Sequence, residues 1–188
     1  MKKFYLIYFV CGLSIIALIY YFNYGSYNMT IDRMKKDLTS HYSEKRYVEK
    51  KHRKNRQYGA WATTDFGLEL DDEDLDLRVT LTLCDKGSFS ELNEIFYHGQ
   101  LVATCQLKGK WDIEYVTKDY IFNLDYDNYI DIKNVGFNDY LFKLIDAEIR
   151  ASMVDVYCRY VIVDCTPKVF SIRDIENDET TRYVPAAN

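Results

Sequence analysis

Histidines, clustered carboxylates and cysteines are the side chains with which this chain could do chemistry, and their spacing limits what that chemistry is. The three histidines, His41, His52 and His98, fall on separate expected elements. None has a second histidine or a cysteine at the interval a zinc site needs. The acidic run "LELDDEDLDL", Leu68 to Leu77, sets Asp72, Asp74 and Asp76 at alternate positions, an arrangement that invites calcium. A calcium loop counted from Asp72 needs glycine at its sixth position and glutamate at its twelfth, where Leu77 and Leu83 stand. The run therefore reads as an acidic surface loop, and a metal-dependent hydrolase built on it lacks ordered ligands and a base. There is no Gly-x-Ser-x-Gly, phosphate loop or dinucleotide fingerprint, so neither an enzyme nor a cofactor site is expected.

Cysteine chemistry depends on where the chain resides. Cys84, Cys105, Cys158 and Cys165 form an even set that could be oxidised in an exported protein. Three pairings are open, and four buried free thiols are the alternative to all of them. Strand order puts Cys84–Cys105 with Cys158–Cys165 slightly ahead. The second bridge needs a turn near Cys158-Arg159, because seven residues of one continuous strand span about 23 Å.

The elements that must position these residues begin with an apolar run. Phe4 to Phe22 is nineteen residues without a charge, just long enough at about 1.5 Å per residue to cross a bilayer core of roughly 30 Å. Lys2 and Lys3 precede it and no Lys or Arg follows until Arg33. The positive-inside rule thus predicts a cytoplasmic tip at 1–3, a single-pass anchor at 4–22 and export of everything beyond. A cleaved signal peptide is the competing reading, but no small-x-small site follows the run. Cys11 lacks the small preceding residue that lipid attachment would want.

Beyond the anchor, Thr30 caps an expected helix over 29–43 whose apolar positions are Ile31, Met34, Leu38 and Tyr42. Lys45 to Arg56 holds seven Lys or Arg against one Glu. On a cytoplasmic protein that would raise nucleic-acid binding, whereas export makes it a solvated strand and loop. Period-two alternation then predicts strands in "RVTLTLC", "SFSELNEIFY", "QLVATCQL", "KWDIE" and "YIFNLDYD", with turn chemistry at "DKG" and His98-Gly99 and a bend at Gly109. Asn138 caps a second helix with Leu141, Leu144, Ile145 and Ile149 as its stripe. "MVDVY", "YVIVDC" and "KVFSI" supply further strands, and 174–188 reads as a loose tail. This order predicts a mainly β chain with flanking helices, in which 44–173 is one small antiparallel barrel. Val79, Leu81, Leu83, Leu107, Trp111, Ile113, Phe122 and Leu124 would face its interior, either lining a site for one small apolar ligand or simply filling the core. Trp111 itself suits a core plug better than a stacking platform.

Several motifs, taken in order, resemble the ToxS-like family: the short cytoplasmic start and anchor, "DLTS" at Asp37 to Ser40, "DKGSF", "GKWDIE" followed by "DYIFNL", "DYLFKLIDAEI" and "SMVDVYCRYVIVDC". The similarity spans Asp37 to about Ile172, and Gly109-x-Trp111-Asp112-Ile113 is its best single motif. The cysteines and the acidic insert before Arg78 depart from it. The resemblance implies an inner-membrane protein whose periplasmic, lipocalin-like barrel docks on the periplasmic domain of a membrane-bound, ToxR-like transcription activator. It also implies stabilisation of that activator and, in bile-sensing relatives, an apolar pocket shared with it for a ligand such as a bile salt or fatty acid. Direct contact with nucleic acid is not expected. A stand-alone carrier or receptor for a small apolar molecule is the alternative function.

Overall fold

The computed structural model describes residues 25–40, 42–43, 57–63, 66–70, 73–135, 139–153 and 155–186. The anchor at 4–22, the tip at 1–3, the basic run at 45–56, Asp72 and the expected cap Asn138 lie outside them. No helix among the described residues is long and apolar enough to cross a membrane.

Among the described residues, 25–39 are helical (helix α1), so the helix already includes 25–28, ahead of the start at 29 that the spacing predicted, and ends at 39 rather than 43. Thr30 is inside it, and its hydroxyl donates back to the Ser26 carbonyl at 3.0 Å. Tyr42, read as a helical position, is instead in the two-residue strand β1 (Tyr42–Ser43), paired with Tyr58. The remaining strands are β2 (Gln57–Thr63), β3 (Phe66–Leu70), β4 (Glu73–Cys84), β5 (Ser88–Tyr97), β6 (Gln100–Val116) and β7 (Asp119–Asn134). Helix α2 (Asp139–Ser152) precedes β8 (Tyr157–Thr166), β9 (Val169–Asp174) and β10 (Thr180–Pro185).

All strand pairings are antiparallel, and β2 closes the sheet by pairing with β4 on one edge and β10 on the other. Eight strands thereby form a closed barrel, which leaves no long free edge among them. Three expectations change. The acidic run is a β3–β4 hairpin rather than a loop, because Leu75 and Leu77 alternate inward; Leu75 is buried. "QLVATCQL" and "KWDIE" are one strand, β6, which passes through a bulge at Leu107–Gly109. The supposed tail supplies β10, and Tyr183 from it is buried in the core.

Gly109 permits that bulge, since a Cβ there would overlap the Asp125 carbonyl and the Phe89 ring. Gly59 permits a second close approach, because a Cβ on it would overlap the Leu38 carbonyl of α1. Inside the barrel Leu38, Trp61, Leu83, Trp111, Phe122 and Phe170 belong to one apolar cluster, to which Ile31 and Met34 of α1 add. Burying each such side chain contributes about 1.5–3 kcal/mol. A separate cluster joins Leu141 and Ile145 of α2 to Leu75, Ile95, Val102 and Ala103. The two helices therefore pack at different levels of the sheet, with a layer of the barrel between them.

Candidate functional site

Cross-strand register defines that layer. Leu81, Glu91, Leu107 and Ile130 lie side by side across β4 to β7, and Val79, Asn93, Cys105 and Ile132 form the next rung. Glu91 and Asn93 share the inward parity of Phe89 and Ile95 on β5, so the same alternation that builds the core carries two polar side chains into it. Tyr126, opposite Gly109, donates its phenol to Glu91 Oε2 at 2.7 Å, and Asn93 Nδ2 donates to Oε1 at 2.8 Å. Phe89 fixes the Tyr126 ring by an edge contact with centroids 5.0 Å apart. Asn93 Oδ1 is buried and has no hydrogen-bond partner among the described residues.

Glu91 is surrounded by protein yet keeps partial contact with solvent. Burial holds its carboxyl above the ordinary 4.5, and the Tyr126 and Asn93 hydrogen bonds only partly offset this. Its charge is felt around the ring. Tyr126 is pushed well up, first by burial and then by Glu91. Burial, then Glu91, then Cys158 push Tyr183 in the same direction. Tyr160 rises through burial and then through Cys158, with Glu91 a smaller cause. The Cys105 thiol is raised to about 11, by burial first and Glu91 second.

The expected ligand-lining residues are all inward-facing and buried: Val79, Leu81, Leu83, Leu107, Trp111, Ile113, Phe122 and Leu124. Six of them, all but Val79 and Leu107, sit in the close-packed cluster beneath α1. The Trp111 indole donates to the Cys84 carbonyl at 2.9 Å, which locks it as a core plug. Val79, Leu81 and Leu107 alone border the polar layer. Sequence reasoning missed Glu91, Asn93 and Tyr126; the signal was their parity with Phe89, Ile95 and Leu124.

The four thiols are free, contrary to the expected bridges. Cys105 lies opposite Asn93, which lies opposite Val79, so Cys84 is two strands away and five residues further along β4. Five residues of strand span about 17 Å, beyond the reach of a disulfide. Cys158 and Cys165 occupy one strand, β8, which has a bulge at Ile162–Asp164 but no turn between them. Cys165 is partly buried against α1, near enough to the Met34 carbonyl for a weak contact at 3.9 Å.

On the outer wall a cleft of about 380 Å³ opens beside the β4–β5 turn. Lys86, Lys110, Asp112, Asp125 and Tyr157 surround Asn123 there. Asn123 is buried, donates to Asp112 Oδ1 at 2.9 Å, and leaves its own Oδ1 without a partner among the described residues. The exposed charges of both signs around this cleft can meet complementary groups on a protein surface.

No protein-family model matches the chain, and no curated protein matches it.

Proposed function

We propose that this is an inner-membrane accessory protein whose periplasmic, lipocalin-like barrel binds, stabilises and helps activate a membrane-bound, ToxR-like transcription activator. The observation that carries the reading is the docking of α1. Helical residues 25–39 follow the apolar run in the sequence, Leu38 among them is wholly buried in the barrel, and the Trp61 indole donates to the Leu38 carbonyl at 2.9 Å. A barrel fastened this way to an anchor stands at a defined height and orientation, where a second anchored protein can meet it. The order of motifs from Asp37 to Ile172 supports the identity of that second protein, and the Asn123 cleft offers it an outer-wall contact.

The mechanism is mass action. A partner that binds only the folded activator domain withholds it from unfolding and proteolysis, by about 2.7 kcal/mol when present at a hundred times its dissociation constant. Co-purification of the detergent-solubilised protein tests this directly. An activator should be recovered with it, and the activator's level should fall in a deletion strain. Recovery of the barrel alone together with unchanged activator levels would sink the proposal.

One observation favours a second reading, a carrier or receptor for a small molecule: the solvent-touched polar layer at Glu91 and Asn93, inside an otherwise filled barrel. A ligand there could act in the barrel alone or in a pocket shared with the partner. Ligand-induced quenching of tryptophan fluorescence without the partner would support the first, and quenching only in the complex the second.

A further inference from the structure

Packing does not account for Glu91. A carboxylate withdrawn from water costs several kcal/mol unless it is matched by a cation, and both of its donors, the Tyr126 phenol and the Asn93 amide, are neutral. Among the described residues no lysine or arginine forms an ion pair with it. The charges acting on the surrounding groups have nearly all the same sign. Glu91, Asp131 and Asp146 bear on Cys105, and Glu91, Asp174 and Glu176 bear on Cys158. Arg150 is the opposing charge at Cys105, and it is itself bonded to Asp146 at 2.9 Å. An orphaned acceptor, Asn93 Oδ1, adds to this negative field.

A site with spare acceptors, negative potential and apolar walls asks for a positive donor on an apolar body. We infer that the layer binds a primary ammonium, held by the Glu91 carboxylate and Asn93 Oδ1, with its hydrocarbon part against Leu81, Leu107 and the Tyr126 ring. An ammonium supplies three donors and the missing charge at once, and an aromatic face beside it adds a cation–π contribution. Tyr126, Cys158 and Tyr160 face inward but remain partly exposed, so the β7–β8 side of the layer is the way in. The inference rests on the reading of the barrel as a small-molecule site and specifies its ligand class. An anionic headgroup, such as that of a fatty acid, would meet Glu91 with like charge.

The test uses the full chain in phosphatidylcholine nanodiscs, titrated with 2-phenylethylammonium, its neutral counterpart 2-phenylethanol and the anion 3-phenylpropanoate. The ammonium should bind at least about tenfold more tightly than the alcohol, a ratio within reach of one charge-assisted pair, and the anion should bind weakest. Glu91→Gln should bring the ammonium down to the alcohol's affinity, whereas Glu91→Asp, which keeps the charge, should retain the preference. Melting curves of both variants establish that they fold. Equal binding of all three probes would overturn the headgroup assignment while leaving a small-molecule site in place. Binding of none would overturn both, and would leave the partner-binding function untouched. Unchanged ammonium affinity in folded Glu91→Gln would also overturn the assignment.

Discussion

Replacing Trp61 with phenylalanine probes the junction on which the proposed function depends. The indole nitrogen donates to the Leu38 carbonyl at 2.9 Å, and both residues are fully buried. Leu38 lies in the last turn of α1, where carbonyls have no partner within the helix, so Trp61 supplies a bond that the helix cannot supply itself. Phenylalanine keeps an aromatic ring in contact distance of Phe170, which now lies with its centroid 5.8 Å from that of Trp61. The substitution thus removes the hydrogen bond to Leu38 with a modest loss of volume. A buried acceptor left unsatisfied costs about 1–3 kcal/mol, and the smaller ring adds roughly 1 kcal/mol through the residual cavity. We expect a loss of about 2–4 kcal/mol in urea unfolding followed by far-ultraviolet circular dichroism. Hydrogen exchange should show faster opening at 31–39 than in β6 and β7. Gly59→Ala attacks the same contact from the other side, since its new Cβ would overlap the Leu38 carbonyl. The double variant should therefore lose less than the sum of the single losses. A Trp61→Phe loss below about 0.5 kcal/mol, or strict additivity with Gly59→Ala, would refute the docking argument.

Two further outcomes follow from the buried groups. Because the folded pKa of Glu91 lies above its unfolded value, the folded state holds the proton more tightly. Its contribution is fully present below the ordinary 4.5 and is lost as pH rises through the folded value. Glu91→Gln should accordingly be more stable than the parent at pH 7 and should lose that advantage near pH 4, as read from melting temperatures; an advantage that grew toward acid pH would reverse the sign and refute it. At pH 8 in the native protein, Cys105, raised to about 11, carries about a hundredfold less thiolate than a thiol at the ordinary 9.0, so its alkylation should be correspondingly slow. In denaturant and without prior reductant, Cys84, Cys105, Cys158 and Cys165 should all alkylate, and a mass spectrum showing a Cys84–Cys105 peptide would contradict the register.

What was legible in the sequence was local. Alternation in "RVTLTLC" and "SFSELNEIFY" announces β4 and β5, the turn residues Gly87 and Gly99 carry the positive φ those turns need, and Leu141, Ile145 and Ile149 make the apolar face of α2. The failures came where a distant partner decides. Thr180–Pro185 has too little apolar content to read as a strand, yet pairing with β9 and β2 closes the barrel through it. Lys118 and Thr117 turn β6 into β7 at positive φ without glycine, a turn that residue preference does not flag. Cys158 and Cys165 suggested a reversal because a bridge was assumed. Without the bridge, β8 simply continues.

The candidate site was hidden for a related reason. A strand facing a uniform core shows polar residues only at outward positions, so a Glu and an Asn in "SFSELNEIFY" look like the solvent face. Their parity with Phe89 and Ile95 places them inside, but parity has meaning only once the register of β4, β5 and β6 is known. Register also explains why the barrel tolerates them there. Above the layer the core is completed by Leu38 and Trp61, and below it by Leu141 and Ile145, so each apolar cluster is closed by its own helix. Neither cluster depends on a leucine at position 91 for its packing. A polar rung can therefore persist between two separate apolar clusters, at a cost in stability that an apolar substitute would avoid.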